Sequence, residues 1–331
     1  MIISRTPLRI SFVGGGSDLP AFYSRETGAV VSTSIDKYIY ITVNAKFDEK
    51  IRASYSRTEI VGHVDKLRHE LIRETLKMVR IDRGIEITSI SDIPSQGTGL
   101  GSSSVYTVGL LNALYAYRNY FAGAERLAQE ACTIEIDRCG KPIGKQDQYI
   151  AAYGGLQFIR FNPDGSVFVD PVVCAPETRK RLQEGLLMLY TGLVRKADEI
   201  LSEQSHNAQT DEGKQAGLRR MVGLARQLRE ALLCNDLEGF GEVLHAGWME
   251  KRKLASGISK PCIDEWYDRA RAHGAIGGKI LGAGGGGFLL LYAPPERHAS
   301  ICEVLPELRP IDFRFSPQGS KLIYVEENGY A

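Results

Sequence analysis

One glycine- and serine-rich segment constrains this chain more than any other feature. It reads Pro94-Ser95-Gln96-Gly97-Thr98-Gly99-Leu100-Gly101-Ser102-Ser103-Ser104. The alternating residues 85–88 before it predict a strand, and the apolar spacing of residues 105–115 after it predicts a helix. Closely spaced glycines let the backbone turn its N–H groups inward, and a helix start adds unpaired N–H groups and a positive dipole end. The segment therefore predicts a loop that binds an anion such as a phosphate.

Two other interpretations of this segment are less favoured. A flexible surface loop with a serine cap is one, but linkers do not usually stand between two strongly patterned apolar elements. A Walker loop is excluded because no Gly-Lys-Ser/Thr follows the glycines. The three serines can cap the helix and still leave a hydroxyl for a phosphate or Mg²⁺.

A second glycine-rich segment runs from Lys279 to Phe288. Residues 282–287 satisfy the dinucleotide-binding pattern G-x-G-x-x-G, but that pattern must open a helix. Residues 288–292 instead predict a strand, so we exclude a dinucleotide site. The glycines allow close backbone approach either to a ligand or to another loop, and packing alone remains the competing interpretation.

The third segment lies near the N-terminus, where Arg9 and Asp18 bracket a β-rich stretch that ends in Gly14-Gly15-Gly16. An arginine can brace a carboxylate or a phosphate, and an aspartate can accept hydrogen bonds from sugar hydroxyls. Alone, the two residues could equally be a surface arginine and a turn aspartate.

Together the three segments resemble the motifs of the GHMP kinase superfamily, which includes galacto-, homoserine, mevalonate and phosphomevalonate kinases. Residues 7–9 and 14–18 keep the spacing of the first motif, although Gly-Gly replaces its Glu-His pair. Pro94 with Gly99–Ser103 matches the second motif, and residues 279–287 match the third.

The order of strands and helices predicts two α+β lobes with a cleft between them. The resemblance implies a two-lobed GHMP-kinase-like fold with its active site in that cleft. We expect an N-terminal domain at residues 1–175, which carries the phosphate-binding loop, and a C-terminal domain at residues 176–331.

The resemblance also implies roles for individual residues. Residues 143–148 look like the segment that bears the catalytic aspartate, which places Asp147 in that role, with Arg9 holding it ionised; the alternative is a helix N-cap. Asp147 could accept the proton of the attacking hydroxyl or orient it, and both roles stay open. ATP is expected to contact the loop at Pro94, Gly97, Gly99, Leu100, Gly101, Ser102, Ser103 and Ser104.

A magnesium ion is implied beside the ATP phosphates. Mg²⁺ usually keeps several waters, so one hydroxyl and one carboxylate suffice as protein ligands. By resemblance these are Ser103 and Glu135, and Glu130 is the competing carboxylate.

Within the superfamily, residues 14–20, 142–148 and 277–288 most resemble the D-glycero-D-manno-heptose 7-phosphate kinases. Those enzymes phosphorylate the anomeric oxygen to give the 1,7-bisphosphate, so the expected partners are ATP and a phosphorylated sugar. The substrate-binding residues expected from the motifs and from the need for cations are Asp18, Gly15, Gly16, Ser17, Lys37, Lys145, Gly284 and Gly285.

Lys251 and Arg252 are further candidates for a sugar-phosphate pocket, and Trp248 could cover a sugar face. The competing interpretation is that the basic residues are solvated and that Trp248 belongs to a helix core stripe with Leu237 and Leu244. Two rival functions remain. One is a kinase for an unphosphorylated sugar such as fucose, since fucokinases share a glycine-rich first motif; the other is a non-catalytic sugar- or nucleotide-binding regulator.

Composition argues against several other classes of partner. A net charge of +1 over 331 residues gives no case for nucleic acid or an anionic membrane. No export signal or apolar run of about 18 residues is visible, and the six scattered cysteines are typical of reduced thiols in a cytoplasmic protein. A structural zinc site is not expected.

Overall fold

A computed structural model describes residues 1–94, 98–194 and 197–326. These residues form two β-sheets and the helices around them. The strands are β1 Ile2–Val13, β2 Gly28–Ala45, β3 Ile51–Ser54, β4 Thr58–Val61, β5 Ile85–Ser91, β6 Leu156–Phe161, β7 Val167–Pro171, β8 Leu186–Tyr190, β9 Gly277–Ile280, β10 Phe288–Tyr292, β11 Arg309–Pro310 and β12 Lys321–Val325. The α-helices are α1 Pro20–Tyr23, α2 Glu70–Met78, α3 Ser102–Tyr117, α4 Ala124–Cys132, α5 Gln146–Tyr153, α6 Pro176–Gly185, α7 Ala197–Thr210, α8 Glu212–Leu233, α9 Leu237–Lys251, α10 Pro261–Ala272 and α11 His298–Val304.

The first sheet has the order β12-β1-β2-β5-β3-β4; in addition β6 pairs with β2, and β7 pairs with β6. Strand β2 is long enough to pair with β6 through residues 28–33 and with β5 through residues 39–45. Its β-branched and aromatic residues suit this largely buried central position. Helix α3 packs on β1 and β2, which fixes the start of that helix next to β1.

The second sheet has the order β11-β8-β10-β9, and its pairings are antiparallel. Every residue of β9 and β10 is buried; β10 is apolar throughout, whereas β9 includes Lys279. Aspartate side chains cap the two long helices of this half: Asp211 accepts from the backbone at the start of α8, and Asp236 does so at α9. Proline stands at the first position of α10, as expected from its fixed φ.

Several boundaries differ from the sequence-based expectation. The helical spacing of residues 65–79 predicts a helix, but it begins only at Glu70, because His69 is extended and its side chain caps the helix. The sequence also predicts a helix from about residue 124 to 137, and there α4 changes to a π-helical turn at Thr133–Arg138. A charged amphipathic helix is predicted near 195–205; it is α7, and residues 195–196 lie outside the described residues.

The two halves contact each other through aromatic rings. Phe12 of β1 meets Phe240 of α9 edge to face at 5.3 Å, and Phe240 meets Tyr292 of β10 at 5.2 Å. The strand that carries Arg9 is thereby packed against the second half, and a cavity opens beside this contact. The α+β fold with two lobes is confirmed. The domain limits 1–175 and 176–331 stay a prediction, and strand β12 pairs with β1 in the first sheet.

Candidate active site

A cavity of about 850 Å³ is lined by residues of both halves of the chain. This volume lies within the range of small-molecule pockets, roughly 300–1,000 Å³. The first half contributes the end of β1, the loop before α3 and the start of α5; the second half contributes Lys251, Lys279, Gly282 and Ala283. The cavity therefore lies in the cleft where an active site was expected.

The phosphate loop, defined here as Thr98–Ser104, leads directly into the N-terminus of α3. Gly99 and Gly101 have φ values of 79° and 76°, in the left-handed region that favours glycine. The hydroxyls of Thr98 and Ser102 are buried and find no hydrogen-bond partner among the described residues. Hydroxyl groups without a partner next to a helix N-terminus can donate hydrogen bonds to an anionic ligand.

The remaining loop residues predicted to bind ATP differ in their placement. Ser103 and Ser104 line the cavity with Thr98, Gly99, Gly101 and Ser102. Leu100 is fully buried outside the cavity lining, where its carbonyl accepts a hydrogen bond from the backbone N–H of Arg9 at 3.2 Å. Pro94 is exposed and also lies outside the lining, and Gly97 lies outside the described residues.

Arg9 and Asp147 form a bidentate ion pair in the middle of the cavity. Arg9 Nε donates to Asp147 Oδ1 and Arg9 Nη2 to Asp147 Oδ2, each at 2.7 Å. Arg9 Nη1 also donates to the carbonyl oxygen of Gly99 at 2.5 Å. The guanidinium group therefore holds the carboxylate against the phosphate loop in a fixed orientation.

Gly101 is the residue that allows this approach. A Cβ atom at position 101 would stand 3.1 Å from Asp147 Oδ2 and 3.3 Å from Arg9 Cγ, tighter than ordinary van der Waals contact. The backbone of the loop and the carboxylate of Asp147 are consequently in direct contact. Asp147 lies in the first turn of α5, where Lys145, and not Asp147, is the N-cap residue.

Glu135 lies on the other side of the loop, on the π-helical turn. It is fully buried, and it accepts hydrogen bonds from Ser103 Oγ at 2.5 Å and from Gln148 Nε2 at 2.7 Å. Burial, together with the negative charge of Asp147, raises the pKa of Glu135 to about 7. The two hydrogen bonds that its carboxylate accepts from Ser103 and Gln148 come from neutral groups.

The Ser103–Glu135 pair fits a hard divalent cation, since it combines a hydroxyl oxygen with a buried carboxylate beside a phosphate-binding loop. Bound Mg²⁺ would supply positive charge and neutralise phosphate oxygens. Glu130 faces elsewhere, because Tyr115 and Arg126 donate hydrogen bonds to it. No cluster of three or more His, Cys, Asp or Glu side chains able to hold a metal occurs in the described part of the chain.

Asp18 forms the opposite wall of the cavity. It is buried, and it accepts hydrogen bonds from the backbone N–H of Gly16 at 2.8 Å and of Gln146 at 3.3 Å. Burial raises the pKa of Asp18, and the negative charge of Asp147 adds to the shift. Gly15 and Gly16 line the cavity beside it, whereas Ser17 is fully buried and bonds to the backbone of Gly14 and Ala29. We therefore assign Ser17 to the turn and not to ligand contact.

Other residues expected at the substrate lie outside the cavity lining. Lys145 Nζ donates to the carbonyl of Gly165 and stands 4.6 Å from the ring of Tyr23, so its ammonium is directed to the surface. Lys37 is half-buried on β2, away from the cavity. Arg252 pairs with Asp264 at 3.1 Å, and Trp248 is buried in the core near Tyr267.

The residues of the second glycine-rich segment lie partly at the cavity and partly in the core. Gly282 and Ala283 line the cavity. Gly284 and Gly285 instead pack on Ile258: a Cβ at Gly284 would stand 2.6 Å from Ile258 Cα, and Gly285 N–H donates to the carbonyl of Ile258 at 2.7 Å. The competing packing interpretation therefore describes these two glycines. Strand β10 follows the segment, so the exclusion of a dinucleotide fingerprint is confirmed.

Two features of the cavity were missed by the sequence reasoning. Lys279 is buried on β9 and lines the cavity, although it was predicted only as the first residue of the third motif and given no role at the site. At the far end of the cavity, the His69 ring stands 4.6 Å from Tyr55 and 5.6 Å from Tyr106. These three aromatic residues come from separate elements, and no local motif connects them.

Comparisons with known proteins agree with this geometry. Residues 64–155 match the N-terminal domain of the GHMP kinases, and residues 225–307 match the C-terminal domain. A D-glycero-alpha-D-manno-heptose 7-phosphate kinase from Campylobacter jejuni is 28% identical over 97% of this chain and 98% of its own length. A bifunctional fucokinase/GDP-fucose pyrophosphorylase from Arabidopsis thaliana is 26% identical over 88% of this chain, which spans 30% of that protein.

The solved structure of a D-glycero-D-manno-heptose 1-phosphate kinase from Bacteroides thetaiotaomicron has the same fold. Its TM-score is 0.82 at 23% identity, and the match covers 99% of this chain and all of the other. No helix in the described ranges has the length and apolar character needed to span a membrane.

The phosphate loop, the ion pair beside it and the sugar-kinase relatives define a phosphotransferase that uses ATP and an alcohol acceptor. Matches to both of its characteristic domains, in the expected order along the chain, show that the chain belongs to the GHMP kinases, as a sugar kinase.

Proposed function

We propose that this enzyme transfers the γ-phosphoryl group of ATP to the anomeric hydroxyl of D-glycero-D-manno-heptose 7-phosphate and produces the 1,7-bisphosphate. The observation that carries the proposal is the contact of Asp147 with the phosphate loop, in the same cavity as Asp18. The similarity to the Campylobacter jejuni kinase over nearly the full length of both chains supports the sugar.

ATP, Mg²⁺ and the sugar can each be assigned to a part of the site. The ATP phosphates would occupy the phosphate loop and the start of α3, and the base would extend toward Tyr55, His69 and Tyr106. Ser103 and Glu135 would hold Mg²⁺, which supplies positive charge at the phosphate oxygens. The sugar would lie at Asp18, Gly15 and Gly16, which leaves its acceptor oxygen beside Asp147.

Asp147 would then hold the acceptor hydroxyl in line with the phosphoryl group. Because both carboxylate oxygens already accept hydrogen bonds from Arg9, orientation of the hydroxyl is the role that the geometry favours. A loose phosphoryl-transfer transition state places little demand on a strong base, so orientation and electrostatic stabilisation can account for most of the catalysis.

The test is a comparison of Mg·ATP turnover with heptose 7-phosphate, heptose 1-phosphate, mannose, L-fucose and no sugar. We expect heptose 7-phosphate to give the highest kcat/KM, and ³¹P NMR of the product should show a new phosphate at the anomeric carbon. Preferred turnover of fucose would support the rival sugar-kinase function. Binding of Mg·ATP without turnover of any sugar would support the non-catalytic regulator.

A further inference from the structure

Two buried ammonium groups converge on the acceptor half of the cavity, which we define by Gly15, Gly16, Asp18, Lys251 and Lys279. Lys251 comes from the end of α9 and Lys279 from β9, and both residues are only 3% exposed. Both line the cavity. Two lysines brought from separate elements to one wall of a cavity are unusual, since lysine is among the residues least often fully buried.

Each lysine is anchored to the glycine-ended strand β1 or to the turn after it. Lys279 Nζ donates to the carbonyl of Ser11 at 2.9 Å. Lys251 Nζ donates to the carbonyl of Gly15 at 3.0 Å and to Gln204 Oε1 at 2.9 Å. These three acceptors are neutral, and the hydrogen bonds fix the positions of the ammonium groups.

This wall therefore carries two ammonium groups beside the carboxylate of Asp18. Burial, followed by the nearby charges of Lys251 and Arg9, lowers the pKa of Lys279 to about 7, while Asp18 acts in the opposite direction. Arg9 is already paired with Asp147. A bound anion would stabilise the charged form of Lys279 and relieve the repulsion among these cations.

A third hydrogen-bond donor, the side-chain amide of Gln204, lies next to Lys251. Gln204 of α7 is 1% exposed, and its Nε2 finds no hydrogen-bond partner among the described residues, although its Oε1 is used by Lys251. Gln204 Nε2 lies directly over Gly16, because a Cβ atom on Gly16 would overlap with it. A buried amide with an unused donor beside two ammonium groups is an arrangement that an oxyanion would complete.

We propose that Lys251, Lys279 and Gln204 form the subsite for the phosphate group that the acceptor sugar already carries. This inference rests on the proposed function, in which the sugar enters beside Asp18. Asp147 approaches Gly101 of the phosphate loop, and Gln146, the residue before it, donates its backbone N–H to Asp18 on the acceptor side. A phosphate at the lysines would thus lie beyond Asp147 from the phosphate loop, as a doubly phosphorylated product requires.

The subsite can be tested with two acceptors that differ only in this phosphate, D-glycero-D-manno-heptose 7-phosphate and the unphosphorylated heptose. We expect Lys251→Met and Lys279→Met to lower kcat/KM for the phosphorylated sugar on the order of 100-fold and that for the free heptose less than about 3-fold. Lys253→Met is the matched control, because Lys253 lies two residues after Lys251 and pairs with Glu250 at the surface. Equal losses with both sugars would overturn the subsite and identify the lysines as structural supports or as general phosphoryl-transfer groups.

Gln204→Glu gives a second variant in case a lysine variant fails to fold. The substitution keeps the shape of the side chain and offers Lys251 a closer counter-charge, so the fold should be retained. We expect the added negative charge to repel the sugar phosphate and lower kcat/KM about 10-fold for that acceptor only. An unchanged ratio of the two kcat/KM values in Gln204→Glu would contradict the proposal.

Failure of the subsite is distinguishable from failure of the proposed function. Inorganic phosphate can be titrated calorimetrically into the wild-type enzyme saturated with Mg²⁺ and a non-hydrolysable ATP analogue, so that the phosphate loop is occupied. Binding that is lost in Lys279→Met and retained in Lys253→Met would support the subsite even if heptose 7-phosphate is not a substrate. Absence of binding to the wild type, or equal binding to both variants, would overturn the subsite whatever the sugar.

Discussion

The two sides of the reaction centre carry buried charges of opposite sign. On the phosphate-loop side, Glu135 is fully buried and its pKa is raised to about 7. On the acceptor side, Lys279 is buried and its pKa is lowered to about 7. In both cases burial is the largest cause, and the hydrogen-bond partners named above for Glu135 and Lys279 are neutral.

Between these two sides, the Arg9–Asp147 pair is neutral as a unit and makes two hydrogen bonds of 2.7 Å. This difference between the central pair and the two sides indicates that they have separate roles. The central pair is complete before any ligand arrives and can orient the acceptor without rearrangement. Each of the two sides would be stabilised by a ligand of opposite charge. A cation would stabilise the ionised form of Glu135, and an anion would stabilise the charged form of Lys279.

The largest effect is expected at the central pair. Asp147→Asn keeps the shape of the side chain and removes its charge, so we expect kcat to fall about 1,000-fold or more while the Kd for ATP changes less than about 3-fold. Steady-state kinetics and calorimetric titration of ATP measure the two quantities. Asp268→Asn on the exposed face of α10 is the control. A large loss of ATP affinity in Asp147→Asn would show that the centre and the phosphate loop are not separate in function.

A substitution in the phosphate loop should instead lower the affinity for ATP. Gly99 has a φ of 79° and its carbonyl accepts from Arg9, so Gly99→Val would strain the backbone where it approaches the phosphates. We expect ATP affinity to fall on the order of 100-fold. Gly62→Val is the control, since a Cβ at Gly62 meets no atom within 4 Å. Unchanged ATP affinity in Gly99→Val would place the nucleotide phosphates elsewhere.

The sequence predicted the parts of this site that are local in the chain. The phosphate loop is a contiguous strand-loop-helix pattern, and it begins α3 where expected. Asp147 and Arg9 were assigned through motif resemblance, and their contact spans 138 positions of sequence. Strand β10 was predicted with its observed limits, because residues 288–292 are a short continuous apolar run that directly follows a glycine.

The parts that sequence reasoning misplaced or missed depend on long-range geometry. A lysine near a motif gives no sign of its direction, and Lys145 proved to face Gly165 at the surface while Lys279 faces the cavity. Gly284 and Gly285 were expected at the sugar, but the tight turn they form packs on Ile258. Gln204 carries no motif at all, and only the packing of α7 brings it to Gly16.

Glu135→Gln tests whether the phosphate-loop side of the site binds a cation. Glutamine can keep both hydrogen bonds, to Gln148 and Ser103, while it removes the negative charge that favours a cation. We expect kcat/KM to fall about 30-fold, with a higher Mg²⁺ concentration needed for half-maximal rate. Glu130→Gln is the control, since Glu130 bonds to Tyr115 and Arg126. Unaltered Mg²⁺ dependence in Glu135→Gln would remove Glu135 from the cation site.

The smallest effect is expected in the pH dependence of stability without ligands, and it isolates the acceptor side. Lys279 faces Arg9 from β1, Lys251 from α9 and Asp18 from the turn after β1, and its folded pKa of about 7 lies below its ordinary value of 10.5. Below pH 7 the lysine is charged in both the folded and unfolded states, so the folded state bears the full cost of the buried charge. Between pH 7 and 10.5 the unfolded state binds more protons, and the free energy of unfolding rises with pH.

Lys279→Met removes this titration. We therefore expect the variant to exceed the wild type in free energy of unfolding at pH 6, and the difference to shrink as the pH rises toward 9.5. Urea unfolding at pH 6, 8 and 9.5 measures the difference, and Lys253→Met should show none that depends on pH in this way. A difference that stays constant with pH would mean that neighbouring groups already neutralise Lys279, and the contrast between the two sides of the site would then be lost. Millimolar heptose 7-phosphate should also reduce the advantage of Lys279→Met at pH 6, because the bound anion stabilises the wild-type ammonium.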